Sequence, residues 1–261
     1  HPRDRRQRQM CIRDRVNPSD GGWVDEDQVK MLFKQAGLGS WTFEHNDGVH
    51  LRERMYALMD DIESVLEANA DAPLVLPVDQ HFNVKGIGLV AIGYVQSGRV
   101  SVHDEVLLLP ANGTGNAKSL QVMDDDVEVA SAGDRVGLAL RNAKEDHLTG
   151  GTIIVHPPIE DKRANLSVPL AVDQHHRSSL QLSTSPFQKR VLAAGDVIHA
   201  SVDLQFVVGR IKDVSGDTVI VEWDQPLFIR KERPPSVLIA QLDSKPRICL
   251  LYTSPSPRDV P

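Results

Sequence analysis

The chain has 261 residues, is 41% hydrophobic and 25% charged, and carries a formal net charge of −7. That is the composition of an ordinary globular protein, long enough for two compact domains of roughly 100 to 150 residues each. No apolar run reaches the roughly 18 residues needed to cross a bilayer and the start lacks the apolar core of a signal peptide, so the expected setting is the cytoplasm, with no membrane partner.

Both ends stand apart from the rest. Residues 1–15 (HPRDRRQRQMCIRDR) are arginine-dense, and residues 249–261 (CLLYTSPSPRDVP) are rich in Ser and Pro. Both resemble translated sequencing-adapter read-through and are set aside from fold reasoning, as an expression tag would be. They hold the two cysteines, Cys11 and Cys249, so the remaining chain is expected to have no disulfide, no thiolate nucleophile and no cysteine metal site. They also hold seven Arg and three acidic residues; set against the −7 of the whole chain, this leaves −11 on the body. An acidic body argues against a broad nucleic-acid surface, and no DNA partner is expected.

In chain order, residues 16–71 read as α/β. Asp25-Glu26-Asp27 opens a helix with Val29, Leu32 and Phe33 on one face, the acidic residues suiting the positive end of its dipole. Gly37-Leu38-Gly39 ends it, and Trp41-Thr42-Phe43 is a candidate strand. A second helix is predicted from about His50 to Asn69, with Leu51, Met55, Leu58, Met59, Ile62 and Leu66 at spacings of three and four.

Residues 72–157 read differently. Apolar runs of five to eight residues, separated by Gly or Asp turns, predict strands within Leu74–Val78, Leu89–Val95, Arg99–Leu108, Ala117–Met123, Arg135–Arg141 and Thr152–His156. Six strands in so short a segment suit a small barrel, which leaves no exposed edge. Gly86 and Gly88 are expected to supply backbone angles a Cβ would prevent, and Gly93 to mark a bulge. Residues 158–248 resume the β pattern, at Ser167–Val172, Leu180–Leu182, Val197–Val202, Phe206–Val214, Val219–Trp223, Leu227–Ile229 and Ser236–Leu242, and predict a second barrel. The expected fold class is mainly β: two consecutive small β-barrels preceded by an α/β remnant.

VDQHFNVKGIGLVAIGYVQSG at Val78–Gly98 and AGDRVGLALR at Ala132–Arg141 carry a resemblance. Over residues 74–155 the chain resembles the second domain of translational GTPases of the elongation factor Tu and elongation factor 1-alpha type. The following segment then stands in the place of the family's third domain, and residues 16–71 in that of the end of its GTPase domain. In feel the chain is similar to divergent archaeal elongation-factor-like proteins.

The resemblance implies a role in translation, with ribosome, tRNA or a protein as partner. The family's GTPase machinery includes a Gly-x-x-x-x-Gly-Lys-Ser/Thr loop and an Asn-Lys-x-Asp guanine reader, and this chain has neither. Asp-x-x-Gly occurs at Asp134–Gly137 and Asp213–Gly216, read as turns in the barrels. No catalytic residue and no cofactor are therefore expected in this chain; GTP binding is expected of a full-length parent only if its upstream domain is intact. Two accounts stay open: truncation upstream, or a parent whose first domain is degenerate, which would make the barrels a protein-binding scaffold.

The resemblance also implies a pocket for the aminoacylated end of tRNA. Asp79 falls where the family has Glu, and Phe82 matches the family's Phe. Gln80 stands for an acidic residue, Ile92 for Thr, Gln121 for the Glu beside the terminal adenine, Met123 for His and Arg135 for Asn. With those polar partners exchanged, ordinary aminoacyl-tRNA binding is expected to be lost, since each unpaired polar contact costs about 1 to 3 kcal/mol. Arg135 suits a phosphate or carboxylate, or is a solvated strand residue.

His175-His176, near Asp173, is a poor metal pair, because adjacent strand residues point to opposite faces. Asp124-Asp125-Asp126 lacks the spacing of a calcium loop and reads as a solvated turn. No Gly-x-Ser-x-Gly elbow is present.

Overall fold

The computed structural model describes residues 26–35, 47–161, 166–181, 192–235, 237–242 and 248–252. The chain divides into two units, one of residues 1–61 with 185–189, the other of residues 62–184 with 190–261.

The first unit holds helix α1 (Glu26–Gln35) and the start of α2 (Gly48–Ala70). Asp47 caps α2: its carboxylate accepts the His50 N–H at 2.9 Å, which satisfies one of the amides a helix start leaves over. The predicted stripe forms but is covered only in part: Leu51 and Leu66 are half-buried, Leu66 lying against Gly133. Met55 is 64% exposed and Met59 59%, with Leu58 and, in the second unit, Ile62 also exposed. The expected strand at Trp41–Phe43 and the glycine stop at Gly37–Gly39 lie outside the described residues.

The second unit begins within α2 and continues into β1 (Leu76–Val84), β2 (Gly88–Tyr94), β3 (Arg99–Ser101), β4 (Glu105–Leu109), β5 (Gly113–Val122), β6 (Asp125–Val127), β7 (Val129–Ser131), β8 (Arg135–Arg141) and β9 (Ile153–Val155). The order β4-β9-β1-β2-β8-β5 returns on itself through a β4–β5 pairing and closes a six-stranded barrel; β6 adds to β5 outside the ring, and β3 pairs with β7. Alternation decides what is inside. Leu89 and Ala91 of β2 and Val136, Leu138 and Leu140 of β8 join Leu76, Val78, Val106 and Ile154 in one core.

The bulge is not where the glycine suggests. The β1–β2 register shifts between Val78 and Gln80, which makes Asp79 the extra residue, while Gly93 lies directly opposite Val78. A Cβ on Gly93 would come within 2.1 Å of the Pro77 carbonyl oxygen, so this glycine permits the close approach rather than forming the bulge itself. Gly86 and Gly88 do adopt positive φ, at 87° and 106°.

The C-terminus of α2 is fastened to this barrel. The Asn69 carbonyl accepts the Gly98 N–H at 2.8 Å, and Arg99 donates to the Ala70 carbonyl at 3.2 Å while pairing with Asp71. A guanidinium at that end both satisfies a free carbonyl and suits the helix dipole.

β10 (Ile159–Asp161) and β11 (Leu166–Val168) form a separate pair. A six-stranded antiparallel sheet follows: β12 (Val172–Gln181), β13 (Val197–Val202), β14 (Gln205–Ser215), β15 (Thr218–Arg230), β16 (Val237–Gln241) and β17 (Ile248–Tyr252), in the order β12-β15-β14-β13-β16-β17. Three sequence expectations change here. The two strands expected at Val219–Trp223 and Leu227–Ile229 are one long strand, β15; the strand expected at Ser167–Val172 divides between β11 and β12; and residues 249–252, set aside with the terminal tail, pair with β16 as β17.

A cluster of Val75, Leu109, Ile153 and Val155 from the barrel with Val172 and Phe228 from the second sheet joins the two. The architecture is mainly β, as the strand pattern implies.

One turn recurs. Ser101–Asp104, Ser131–Asp134 and Ala193–Asp196 each end in an Asp whose carboxylate accepts the N–H three residues back, at 2.7, 2.8 and 3.1 Å, while the Asp N–H donates to that residue's carbonyl. The Asp-x-x-Gly at Asp134 thus begins in a turn and enters β8; Asp213 lies within β14, and its Gly216 forms the next turn at φ 61°.

Candidate functional site on the outer face of the first barrel

Residues alternating with the core point outward from β1, β2, β8 and β5. Pairing aligns Gln80 with Ile92, Ile92 with Gly137, and Gly137 with Gln121; the next row runs Phe82, Val90, Ala139, Ser119. Gly137 has no side chain to fill its place in this face, and a cavity of about 510 Å³ opens over it.

Ile87, Val90, Val102 and Val127 supply apolar walls; Lys118, Ser119, Gln121, Asp126 and Glu128 supply the polar ones. The Gln121 amide nitrogen donates to Asp126 at 2.9 Å, which turns its oxygen into the acceptor it can offer elsewhere. A second bulge, where the β5–β8 register shifts between Ala117 and Ser119, makes Lys118 the extra residue. Its ammonium is re-aimed onto the β1–β2 turn, 2.6 Å from the Ile87 carbonyl oxygen.

Of the seven residues expected at the pocket, only Gln121 lines this cavity. Gln80, Phe82 and Ile92 share its face in the neighbouring strands. Arg135 pairs with Tyr94 at the far end of that face, its guanidinium 5.9 Å from the ring centroid. Asp79 is the bulge residue, and Met123 occupies the two-residue β5–β6 turn, 91% exposed. The residues that sequence reasoning missed are Lys118, Ser119, Asp126 and Glu128. Asp126 was expected in a solvated turn, but the turn proper is Met123-Asp124, and Asp126 already lies in β6.

His175 and His176 fall at a register shift in β12, and the His176 ring lies 2.9 Å from the Gln174 amide. Burial pushes the His175 pKa below its ordinary value, with Asp173 partly opposing. Among the described residues no three His, Cys, Asp or Glu side chains gather as a metal site would require. No helix among them is long and apolar enough to cross a membrane.

Residues 88–155, which hold nearly all of this site, match the family model of elongation factor Tu domain 2. An uncharacterized protein of Methanocaldococcus jannaschii is 27% identical over 199 residues, covering 76% of this chain and 58% of that protein. The selenocysteine-specific elongation factor of the same organism is 35% identical over 104 residues, 40% of this chain and 22% of that factor. Elongation factor 1-alpha sequences of archaea match it as well. In fold, the chain is similar to a bacterial selenocysteine-specific elongation factor, EF-Sec, with a TM-score of 0.65 at 18% identity over 91% of this chain and 39% of that one. Over residues 88–155 the chain is therefore similar to elongation factor Tu domain 2, and it spans little more than half of the first of these relatives and less than half of the two elongation factors.

Proposed function

We propose that this chain is the barrel portion of a translation-elongation-factor-like protein and works through the outer face of its first barrel, where it meets the ribosome, tRNA or a protein of the translation apparatus. One observation carries the reading: the cavity over Gly137 is built from β2, β5, β6 and β8, all inside the segment that matches elongation factor Tu domain 2. Its exchanged polar residues, above all Gln121 tied to Asp126, argue against ordinary aminoacyl-tRNA as the occupant. The chain itself is not a GTPase in this reading, and GTP belongs to an upstream domain when one is present and intact.

Salt-sensitive co-sedimentation with archaeal ribosomes tests the proposal, with loss of co-sedimentation expected for a Gly137→Val variant. A chain that never sediments with ribosomes and binds no tRNA overturns it and leaves the alternative, a non-GTPase regulatory or scaffold protein that uses these barrels as a protein-binding platform. Sub-micromolar binding of charged tRNA at low salt would refute the loss of that ligand. A GTPase rate in this chain that responds to mutation would overturn the third part.

A further inference from the structure

The chemistry of the cavity points to the kind of group it holds. Its lining offers acceptors in excess: two carboxylates, Asp126 and Glu128, and the Gln121 oxygen that the Asp126 contact leaves available. The one cation among the lining residues, Lys118, is drawn onto the Ile87 carbonyl. An occupant bearing a carboxylate or phosphate would meet two like charges against the single ammonium of Lys118, whereas one bearing a cationic donor would find three acceptors. The apolar walls at Val90, Val102 and Val127 add a second requirement, a hydrocarbon stretch beside the charge. Long basic side chains have this form, an apolar stem ending in a cation, and the guanidinium fork suits several acceptors set around it. The net charge of −7 adds attraction for a basic partner and repels a polyanion.

We infer that the cavity over Gly137 captures an arginine or lysine side chain of a basic peptide segment in a protein partner. The inference rests on the proposed reading that this face is the working surface, and it names the partner chemistry.

Titration of the ¹⁵N-labelled chain with N-acetyl-arginine amide, followed by amide chemical shifts, tests it directly. The expected result is saturable shifts confined to residues 87–90, 118–128 and 137–139. N-acetyl-citrulline amide, which has the same shape without the charge, should bind at least about tenfold more weakly. A D126N/E128Q variant keeps an acceptor for Gln121 but removes both charges, and should lose the difference between the two compounds. If that variant does not fold, Gly137→Val fills the cavity without touching the carboxylates and should abolish the localised shifts.

Equal binding of the citrulline compound, shifts scattered over other acidic surfaces, or shifts that persist unchanged in the folded variants would overturn the inference. So would tighter binding at these residues by a short RNA ending in CCA, which would return the site to a nucleic acid. Localised arginine binding in a chain that neither sediments with ribosomes nor binds tRNA would sustain this inference while overturning the proposed function; ribosome binding with no arginine binding would do the reverse.

Discussion

The side-chain amide of Gln205 does for Phe228 what a neighbouring strand would otherwise do: it donates to the Phe228 carbonyl at 2.7 Å and accepts the Phe228 N–H at 2.9 Å. β14 and β15 pair only as far as Gly209 and Trp223, so beyond that point the Phe228 backbone has no ladder partner from β14. Both residues are buried, and water cannot take the place of the amide. Gln205→Ala should destabilise the chain by about 2–4 kcal/mol, because it strands a donor and an acceptor together. Urea unfolding measures this, with the exposed Gln80→Ala as the control; a cost below that of the control would contradict the role.

The turn that joins β13 to β14, at Leu204 beside Gln205, meets the first barrel at Gly151. That residue holds φ 90°, and a Cβ there would lie 2.8 Å from the Leu204 carbonyl oxygen. Gly151→Ala is expected to cost about 1–3 kcal/mol from the backbone conformation alone, with the contact adding to it. The change should lower the thermal midpoint, whereas Gly195→Ala, also at positive φ but with nothing within 4 Å of its Cβ, should cost less. Equal losses would mean that the approach to Leu204 carries no energy.

Met123 is the opposite case, a residue that local rules disfavour. With Asp124 it forms the β5–β6 turn at φ 53° and 69°, the doubly left-handed geometry of the tightest hairpins. A left-handed L-residue costs roughly 1–2 kcal/mol, which Asn relieves in part and Gly almost wholly. At 91% exposure Met123 has little packing to lose. Met123→Asn should therefore raise stability, by up to about 1 kcal/mol, and the thermal midpoint by about 2–4 °C. A drop in stability would indicate that the methionine packs on a surface the turn geometry does not reveal.

The reach of sequence reasoning in this chain follows from which features are local. Alternation in Leu89–Val95 and Arg135–Arg141 specifies strands with one inward face, so the barrel and its core were legible. Register was not, because it depends on bulges, and those at Asp79 and Lys118 decide which side chains share a row. Asp79 thus sits at a bulge and Met123 in a turn, off the row that holds Gln121, while the second bulge carries Lys118 to the cavity that Asp126 and Glu128 also line. Gly93 illustrates the same limit: the sequence marks a constraint there, but only pairing shows that the bulge is on the other strand.

His175 provides a pH prediction. Burial lowers its pKa in the folded chain, so the unfolded chain takes up a proton near the ordinary value of 6.5 while the folded chain still resists. Below 6.5 the unfolded state therefore binds more protons, and stability falls as pH falls toward the lowered folded value. Above 6.5 the contribution is complete. Relative to His175→Gln, the wild-type chain should gain stability as pH rises toward 6.5 and show no further gain beyond it. Urea unfolding at intervals between about pH 5 and 7.5 checks the sign, and a stability of wild type minus variant that falls with rising pH would contradict it.

Gly137 links the barrel to its candidate function. Its nearest obstacle to an added Cβ is the Gln121 carbonyl oxygen at 3.9 Å, an ordinary contact, and no positive φ is recorded for it. A branched side chain there should be accepted by the strand, which favours β-branched residues, and should extend into the cavity instead of the core. Gly137→Val is thus expected to leave stability within about 1 kcal/mol of wild type, or to raise it, while removing whatever the cavity binds. The two readouts separate the possibilities. Lost binding with retained stability assigns Gly137 to the site, because a glycine serving only the barrel would lose stability first. Retained binding with retained stability would mean that the occupied surface lies elsewhere on the face, toward Tyr94 and Arg135.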